Sequence, residues 1–397
     1  MAAGRPLPAR AYWAVAPFAG EIRSERLAPP GPGEVLVETL YTAISRGTEA
    51  IVCAGRVPPD QHAAMRCPFQ AGEFPFPVKY GYSNVGRVIE GPPELLGRLV
   101  FTLFPHQTRF VVPAEAVHPL PAELPPGRAV LAAAMETALN GLWDAAPRIG
   151  DRMLVVGAGV VGTLVAWLAC RIPGIELRLV DIDPERRRRI LALGIPFALP
   201  EEVSGEADLV IHASGAPEAL ARALSWLGLE GRLIELSWYG NAPVPLPLGS
   251  AFHSRRLTLQ SSQVGQVAAS QRPRWDRQRR MAKALELLAD PALDQLITGE
   301  SRFEDLPEVL PRLARDASGV LCHRIAYSDD SPRRRGTRND ATAASGSATR
   351  RPMTASARRR TPESGSPVSS SRRNSSRAGS SPGMITEGGA GAKPKRA

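Results

Sequence analysis

Cysteine is scarce in this 397-residue chain. Cys53, Cys67, Cys170 and Cys322 are scattered, without the spacing of a disulfide framework or a metal site, which suits a reducing cytosol. Long apolar runs are missing as well. The longest candidate, residues 160–172, is too short to span a bilayer and is interrupted by Arg171, so no membrane partner is expected. The first residues, MAAGRPLPARAYW, carry some positive charge but no apolar h-region, so a secretory signal is not expected. The expectation is a soluble, cytoplasmic protein.

The last stretch lacks Phe, Tyr, Trp and Leu altogether. From Ser331 to Ala397 there are 15 Lys and Arg against 3 Asp and Glu, a net of +12; the whole chain carries +10, which leaves −2 for residues 1–330. Such a segment cannot bury enough apolar surface to offset its ordering entropy, so it reads as a disordered basic tail over 329–397. An Arg/Ser-rich tail can neutralise the phosphates of a nucleic acid. An unselected extension is the favoured alternative.

What is present centres on residues 153–183, MLVVGAGVVGTLVAWLACRIPGIELRLVDID. An apolar strand runs into Gly157, Gly159, Val160, Val161 and Gly162 and then into an apolar helix. Gly157 permits a tight turn, Gly159 lets backbone approach a pyrophosphate, Gly162 allows close packing, and the free N–H groups at the helix start face the phosphates. A second strand, 176–180, ends at Asp181, where a carboxylate meets the adenosine ribose hydroxyls. This is a dinucleotide fingerprint. Asp181 repels a 2′-phosphate and favours NAD over NADP. Against it stands the run Arg186-Arg187-Arg188-Arg189, but successive helical positions turn about 100°, so only Arg186 is expected near the adenine edge.

The flanks agree with this centre. Residues 10–120 hold short strands between Pro and Gly clusters, a small and mostly antiparallel β domain. Residues 128–144 read as a helix. After Asp181, strands and helices alternate through His212-Ala213-Ser214-Gly215, 231–237 and 257–260, which implies a doubly wound parallel sheet, with Ser214 and Gly215 at the cofactor. A helix at 279–290 leads away, and 293–327 is expected to return to the first domain.

This α/β organisation resembles the medium-chain dehydrogenase/reductase family, the zinc alcohol dehydrogenase group. The resemblance spans about residues 10–327. Ser45-Arg46-Gly47-Thr48-Glu49 is similar to that family's Cys-Gly-Thr-Asp segment, and residues 79–86, KYGYSNVG, are similar to its Gly-His-Glu-x-x-Gly segment. The SRGTE form resembles the branch that contains bacteriochlorophyllide dehydrogenase. The resemblance implies a GroES-like β-rich catalytic domain over 1–122, a Rossmann domain over 123–290 and a return segment over 291–328. It also implies a nicotinamide cofactor, an alcohol/carbonyl substrate, and a homodimer or homotetramer, with residues 256–265 at the interface.

The departures from the family pattern bear on the chemistry. Arg46 stands where the family has a zinc cysteine and Tyr82 where it has a zinc histidine, followed by Ser83; neither arginine nor tyrosine is an ordinary zinc ligand, so no zinc is expected. Arg46 would then bring positive charge to the developing alkoxide, Thr48 matches the hydroxyl that passes the proton, and Tyr82 serves as donor if Lys79 or Arg46 lowers its pKa. Plainer roles compete: Arg46 in a structural ion pair with Glu49 or another acid, Tyr82 filling volume beneath the nicotinamide, His106 and His253 as satisfied structural histidines, and Glu136 facing the site or capping something nearby. The leading reading is a zinc-independent NAD(H)-linked alcohol/carbonyl oxidoreductase. Its alternatives are an NADPH-linked quinone or enone reductase, and a non-catalytic dinucleotide-binding protein whose tail contacts nucleic acid.

Overall fold

Residues 34–44 are rich in β-branched and other apolar side chains, Val35, Leu36, Val37, Thr39, Thr42 and Ile44 among them, and they form the strand Glu34–Ile44. A computed structural model describes residues 6–316 and 318–327 of the chain; the expected disordered tail lies outside the described residues. Along one edge of Glu34–Ile44, residues 34–38 pair with Arg109–Pro113 and residues 41–44 pair with Cys322–Ala326. The other edge pairs antiparallel with Asn84–Glu90, and the seven-stranded sheet continues through Leu99–Thr102 and Val117–Pro119. Residues near the end of the described chain thus complete a sheet begun near its start. Pairing of strands so far apart in sequence costs loop-closure entropy, which buried positions such as Val35, Val37, Val88 and Phe110 offset.

A second, four-stranded sheet is made by Leu7–Ala16, Ala19–Leu27, Ala71–Gly72 and Val78–Lys79. Between the two sheets, the helix Leu306–Arg315 buries Leu306, Val309, Leu310 and Leu313 against Tyr12, Ile44 and Cys53. The amphipathic helix Arg46–Cys53 lies beside it. This contact holds the SRGTE segment in place.

The nucleotide half is a six-stranded parallel sheet in the order Phe197–Ala198, Glu176–Val180, Arg152–Val156, Ala207–His212, Leu227–Glu235, Thr258–Ser261. Numbered by their sequence within this half, the strands run 3-2-1-4-5-6, the doubly wound order expected for a Rossmann sheet. Pleating sends Met153 and Val155 to one face, under Val160–Ala169, Ala132–Ala145 and Arg277–Leu287. Leu154 and Val156 go to the other face, under Pro217–Ser225. The helix Val160–Ala169 has no charged residue and buries seven of its ten positions, as a helix apolar all round must.

One buried ion pair ties this half together. Arg280, 2% exposed, donates to Glu136 at 3.0 Å, to Asn140 at 2.6 Å and to the carbonyls of Val264 and Gln266. Glu136 is therefore used in anchoring the 262–268 loop. The two halves meet where residues 236–241 cross to 51–57. Asn241 N–H donates to the Arg56 carbonyl at 3.1 Å, and a Cβ on Gly240 would stand 2.6 Å from that same oxygen.

Candidate active site

The dinucleotide turn owes its shape to three glycines in three different ways. Gly157 adopts φ +104°, and a Cβ there would lie 2.7 Å from the Ser214 backbone. A Cβ on Gly162 would stand 1.9 Å from the Gly157 carbonyl. Gly159 has no such neighbour within 4 Å, so the side of the turn it presents is open. Gly159 is also the N-cap of Val160–Ala169 with no side-chain cap, which leaves the backbone N–H groups of Val160 and Val161 in the first helical turn for an anion.

Asp181 ends the neighbouring strand with its carboxylate already engaged. It accepts from Ala158 N–H at 2.6 Å, from Asp183 N–H at 2.9 Å and from Arg186 at 3.1 Å. Arg186 also holds Asp183 at 3.2 Å. The rest of the arginine run disperses. Arg187 pairs with Glu202 at 2.6 Å over the ring of Phe197, and Arg188 is exposed. Only Arg186 of the four contacts Asp181.

On the far side of the turn, His212 is wholly buried. Its Nδ1 lies 2.8 Å from Glu235, its Nε2 lies 2.7 Å from Ser214 Oγ, and Tyr239 donates to Glu235 at 3.0 Å. Glu235 and Tyr239 were not legible as site residues. Nothing in residues 235–239 marks them until the parallel pairing sets Glu235 opposite His212.

The third group lies in the front half. Tyr82 donates to Ser45 Oγ at 2.5 Å and is within hydrogen-bonding reach of the Thr48 hydroxyl. Burial pushes its phenol up to about 12, only partly countered by those two hydroxyls and reinforced by the Glu49 carboxylate. The expectation of a lowered phenol is thereby corrected. Lys79 is spent on Glu25 at 2.9 Å and Gln107 at 2.7 Å, and it does not serve Tyr82. Arg46, expected beside the carbonyl oxygen, donates instead to the Val320 carbonyl. Its guanidinium pKa is lowered, chiefly by burial and then by Arg186, with Asp181 opposing.

Glu49 does not pair with Arg46. It accepts from Ser45 N–H at 2.8 Å and meets His106 Nε2 at 2.9 Å, while His106 Nδ1 meets Thr42 at 2.7 Å and Thr42 meets Tyr327 at 3.3 Å. His106 is 1% exposed and has a partner on each ring nitrogen, the arrangement of a structural histidine, whereas His253 is exposed. The aromatic residues divide similarly. Phe69 packs on Phe104 and Phe74 on Tyr80, while Phe76 and Trp238 stay partly open against the same core cluster that Tyr82 borders.

Among the described residues no three His, Cys, Asp or Glu side chains cluster as a metal site would require. The chemistry present is that of neutral hydroxyl donors beside a dinucleotide turn.

The chain matches no protein-family profile. It is 29% identical over 248 residues to 2-desacetyl-2-hydroxyethyl bacteriochlorophyllide A dehydrogenase of Rhodobacter capsulatus, covering 57% of this chain and 72% of that one. Among solved structures, a zinc-binding dehydrogenase of Sinorhizobium meliloti bound to NADP superposes with a TM-score of 0.65 at 16% identity, over 81% of this chain and 99% of that one. An Escherichia coli CFT073 alcohol dehydrogenase complexed with NADH superposes with a TM-score of 0.64 at 15% identity, over 80% and 99%.

Proposed function

We propose, from the premise that this chain is an alcohol dehydrogenase-like oxidoreductase of the medium-chain dehydrogenase/reductase family, that it moves hydride between NAD(H) and an alcohol/carbonyl pair without zinc. The observation that supports this most is the Tyr82–Ser45–Thr48 hydroxyl group at the seam with the nucleotide half. When bound, the nicotinamide supplies or accepts the hydride. The chain's own residues must then stabilise the oxygen that gains negative charge, which a preorganised set of hydroxyl donors does at low cost in reorganisation. A phenol held at about 12 stays protonated at neutral pH, so Tyr82 acts as a hydrogen-bond donor to that oxygen and not as a base. Ser45 and Thr48 hold the phenol and accept its hydrogen when no substrate is present.

Asp181 and the first turn of Val160–Ala169 take the adenosine ribose and the pyrophosphate, with Arg46 and Arg186 lending positive charge on that side. NAD is favoured because Asp181 keeps its carboxylate at the ribose position, though Arg186 offsets part of its repulsion of a 2′-phosphate. Phe76 and Trp238 suit a substrate with an apolar or planar body. The exposed edge strand Thr258–Ser261 is the proposed pairing face of a homodimer or homotetramer, and the four free cysteines suit the cytoplasm. No helix among the described residues is long and apolar enough to cross a membrane.

The test is a screen of alcohols and carbonyls followed by nicotinamide absorbance, with metal content measured on the same samples. Turnover that survives exhaustive chelation and depends on Tyr82 supports the reading. Stoichiometric zinc whose removal abolishes turnover refutes it.

A further inference from the structure

The strand Ala207–His212 ends on a buried imidazole with hydrogen-bond partners on both nitrogens. Two Glu235 oxygens lie 2.8 and 3.0 Å from Nδ1, so that nitrogen carries the hydrogen, and in the neutral imidazole Nε2 is the acceptor. Ser214 Oγ, 2.7 Å from Nε2, already accepts the Ala216 N–H at 3.1 Å. The serine therefore gives its hydrogen to Nε2 and keeps one lone pair. His212 is wholly buried while Ser214 is exposed, so the chain of contacts runs from the interior to the surface.

A Glu–His–Ser chain of this kind is also the geometry of acyl transfer, and the neighbouring amides decide between the uses. Gly215 N–H donates to Ser237 Oγ at 3.1 Å, and Ala216 N–H donates to Ser214 itself. The donors beside the serine that would meet an oxyanion are already taken. The chain orients the serine; it does not activate it as a nucleophile.

We infer that Glu235, His212 and Tyr239 are positioning residues that hold the Ser214 hydroxyl as an acceptor for a hydroxyl of the dinucleotide's second ribose, the one attached to nicotinamide. The inference rests on the dinucleotide reading of the Gly157–Gly162 turn. Its support is placement. The strands Glu176–Val180 and Ala207–His212 flank Arg152–Val156 on opposite sides, so Asp181 ends one flank and Ser214 follows the other. Ser214 borders the turn directly, because a Cβ on Gly157 would touch its backbone. With the adenosine ribose on Asp181 and the pyrophosphate over the turn, Ser214 is on the side left for the second ribose. Tyr239 donates to the same carboxylate and holds it against Nδ1.

The experiment compares NADH with ADP, which lacks the second ribose, by tryptophan fluorescence titration of the full-length protein. Ser214→Ala should weaken NADH about fivefold, the worth of one neutral hydrogen bond, and leave ADP within about twofold. Glu235→Leu should do the same, whereas Glu235→Gln, which still accepts from Nδ1, should restore NADH affinity to within about twofold of the parent. Unchanged NADH affinity in Ser214→Ala overturns the inference. So does an equal loss of NADH and ADP, which would mark a loosened fold, and so does failure of Glu235→Gln to restore binding. If the parent protein binds neither nucleotide, the dinucleotide reading itself falls.

Discussion

Replacing Tyr82 by Phe removes a single hydroxyl and keeps the ring that packs edge-on to Tyr80. The structural cost is small, because Ser45 Oγ loses one donor at about 0.5–1.5 kcal/mol. The catalytic cost is larger. With a phenol at about 12, roughly one Tyr82 in 10⁵ is ionised at pH 7, so the group works as a donor throughout the neutral range. Loss of one preorganised donor to a developing oxyanion lowers kcat by roughly 10²–10³, or about 2.7–4 kcal/mol. The assay is steady-state kcat and KM from pH 6 to 10, with NADH affinity measured separately and thermal unfolding as the control. The expected variant loses about a hundredfold in kcat, keeps its NADH affinity, and shows no titration assignable to Tyr82 below pH 10 in the parent. The sign for stability is also set: a phenol whose pKa is raised on folding contributes stability that is full below about 10 and is lost as pH rises through about 12. A kcat within about threefold of the parent, or a parental pKa near 7 that disappears in Tyr82→Phe, would refute the neutral-donor reasoning.

Asp181→Asn removes the charge that repels a 2′-phosphate and frees Arg186, so the affinity ratio of NADH to NADPH should fall about tenfold in a fluorescence titration; an unchanged ratio rules Asp181 out as the selector. Gly162→Ala drives a methyl group into the Gly157 carbonyl, which should destabilise the protein by about 1–3 kcal/mol in urea unfolding and abolish NADH binding even where the protein remains folded. Glu136→Leu strands the Arg280 charge in the core, at about 3–5 kcal/mol, whereas the double change Glu136→Leu with Arg280→Met should recover most of it; equal losses in both would show that the pair itself stabilises.

Much of the nucleotide half was readable in the chain because its signals are local. The glycines at 157, 159 and 162 lie within one turn, the strands they join are apolar runs, and Asp181 follows at a spacing set by one strand-helix-strand unit. The helix expected over 128–144 is two pieces, Pro126–Ala129 and Ala132–Ala145, because short-range periodicity does not register a one-turn break. The arginine run was legible for the same reason as the glycines, since the dispersal of four successive residues follows from helical geometry alone.

The front half resisted because its chemistry comes from residues far apart in sequence. Tyr82 meets Ser45 across 37 positions and Glu49 meets His106 across 57, and in the nucleotide half Glu235, missed for the same reason, meets His212 across 23. Local reading gave Arg46 a charge and Tyr82 a hydroxyl but no direction to either. Direction depends on burial and on which carbonyl, carboxylate or hydroxyl the folded chain brings alongside. The amino-acid sequence by itself determined the glycine turn at 157–162 and the alternation of strand and helix that builds its sheet. Only the tertiary structure decided that Arg46 donates to the Val320 carbonyl, that Tyr82 is a raised, neutral phenol held by Ser45, and that His212 has a carboxylate behind it, because desolvation and long-range pairing exist only once the chain has closed on itself.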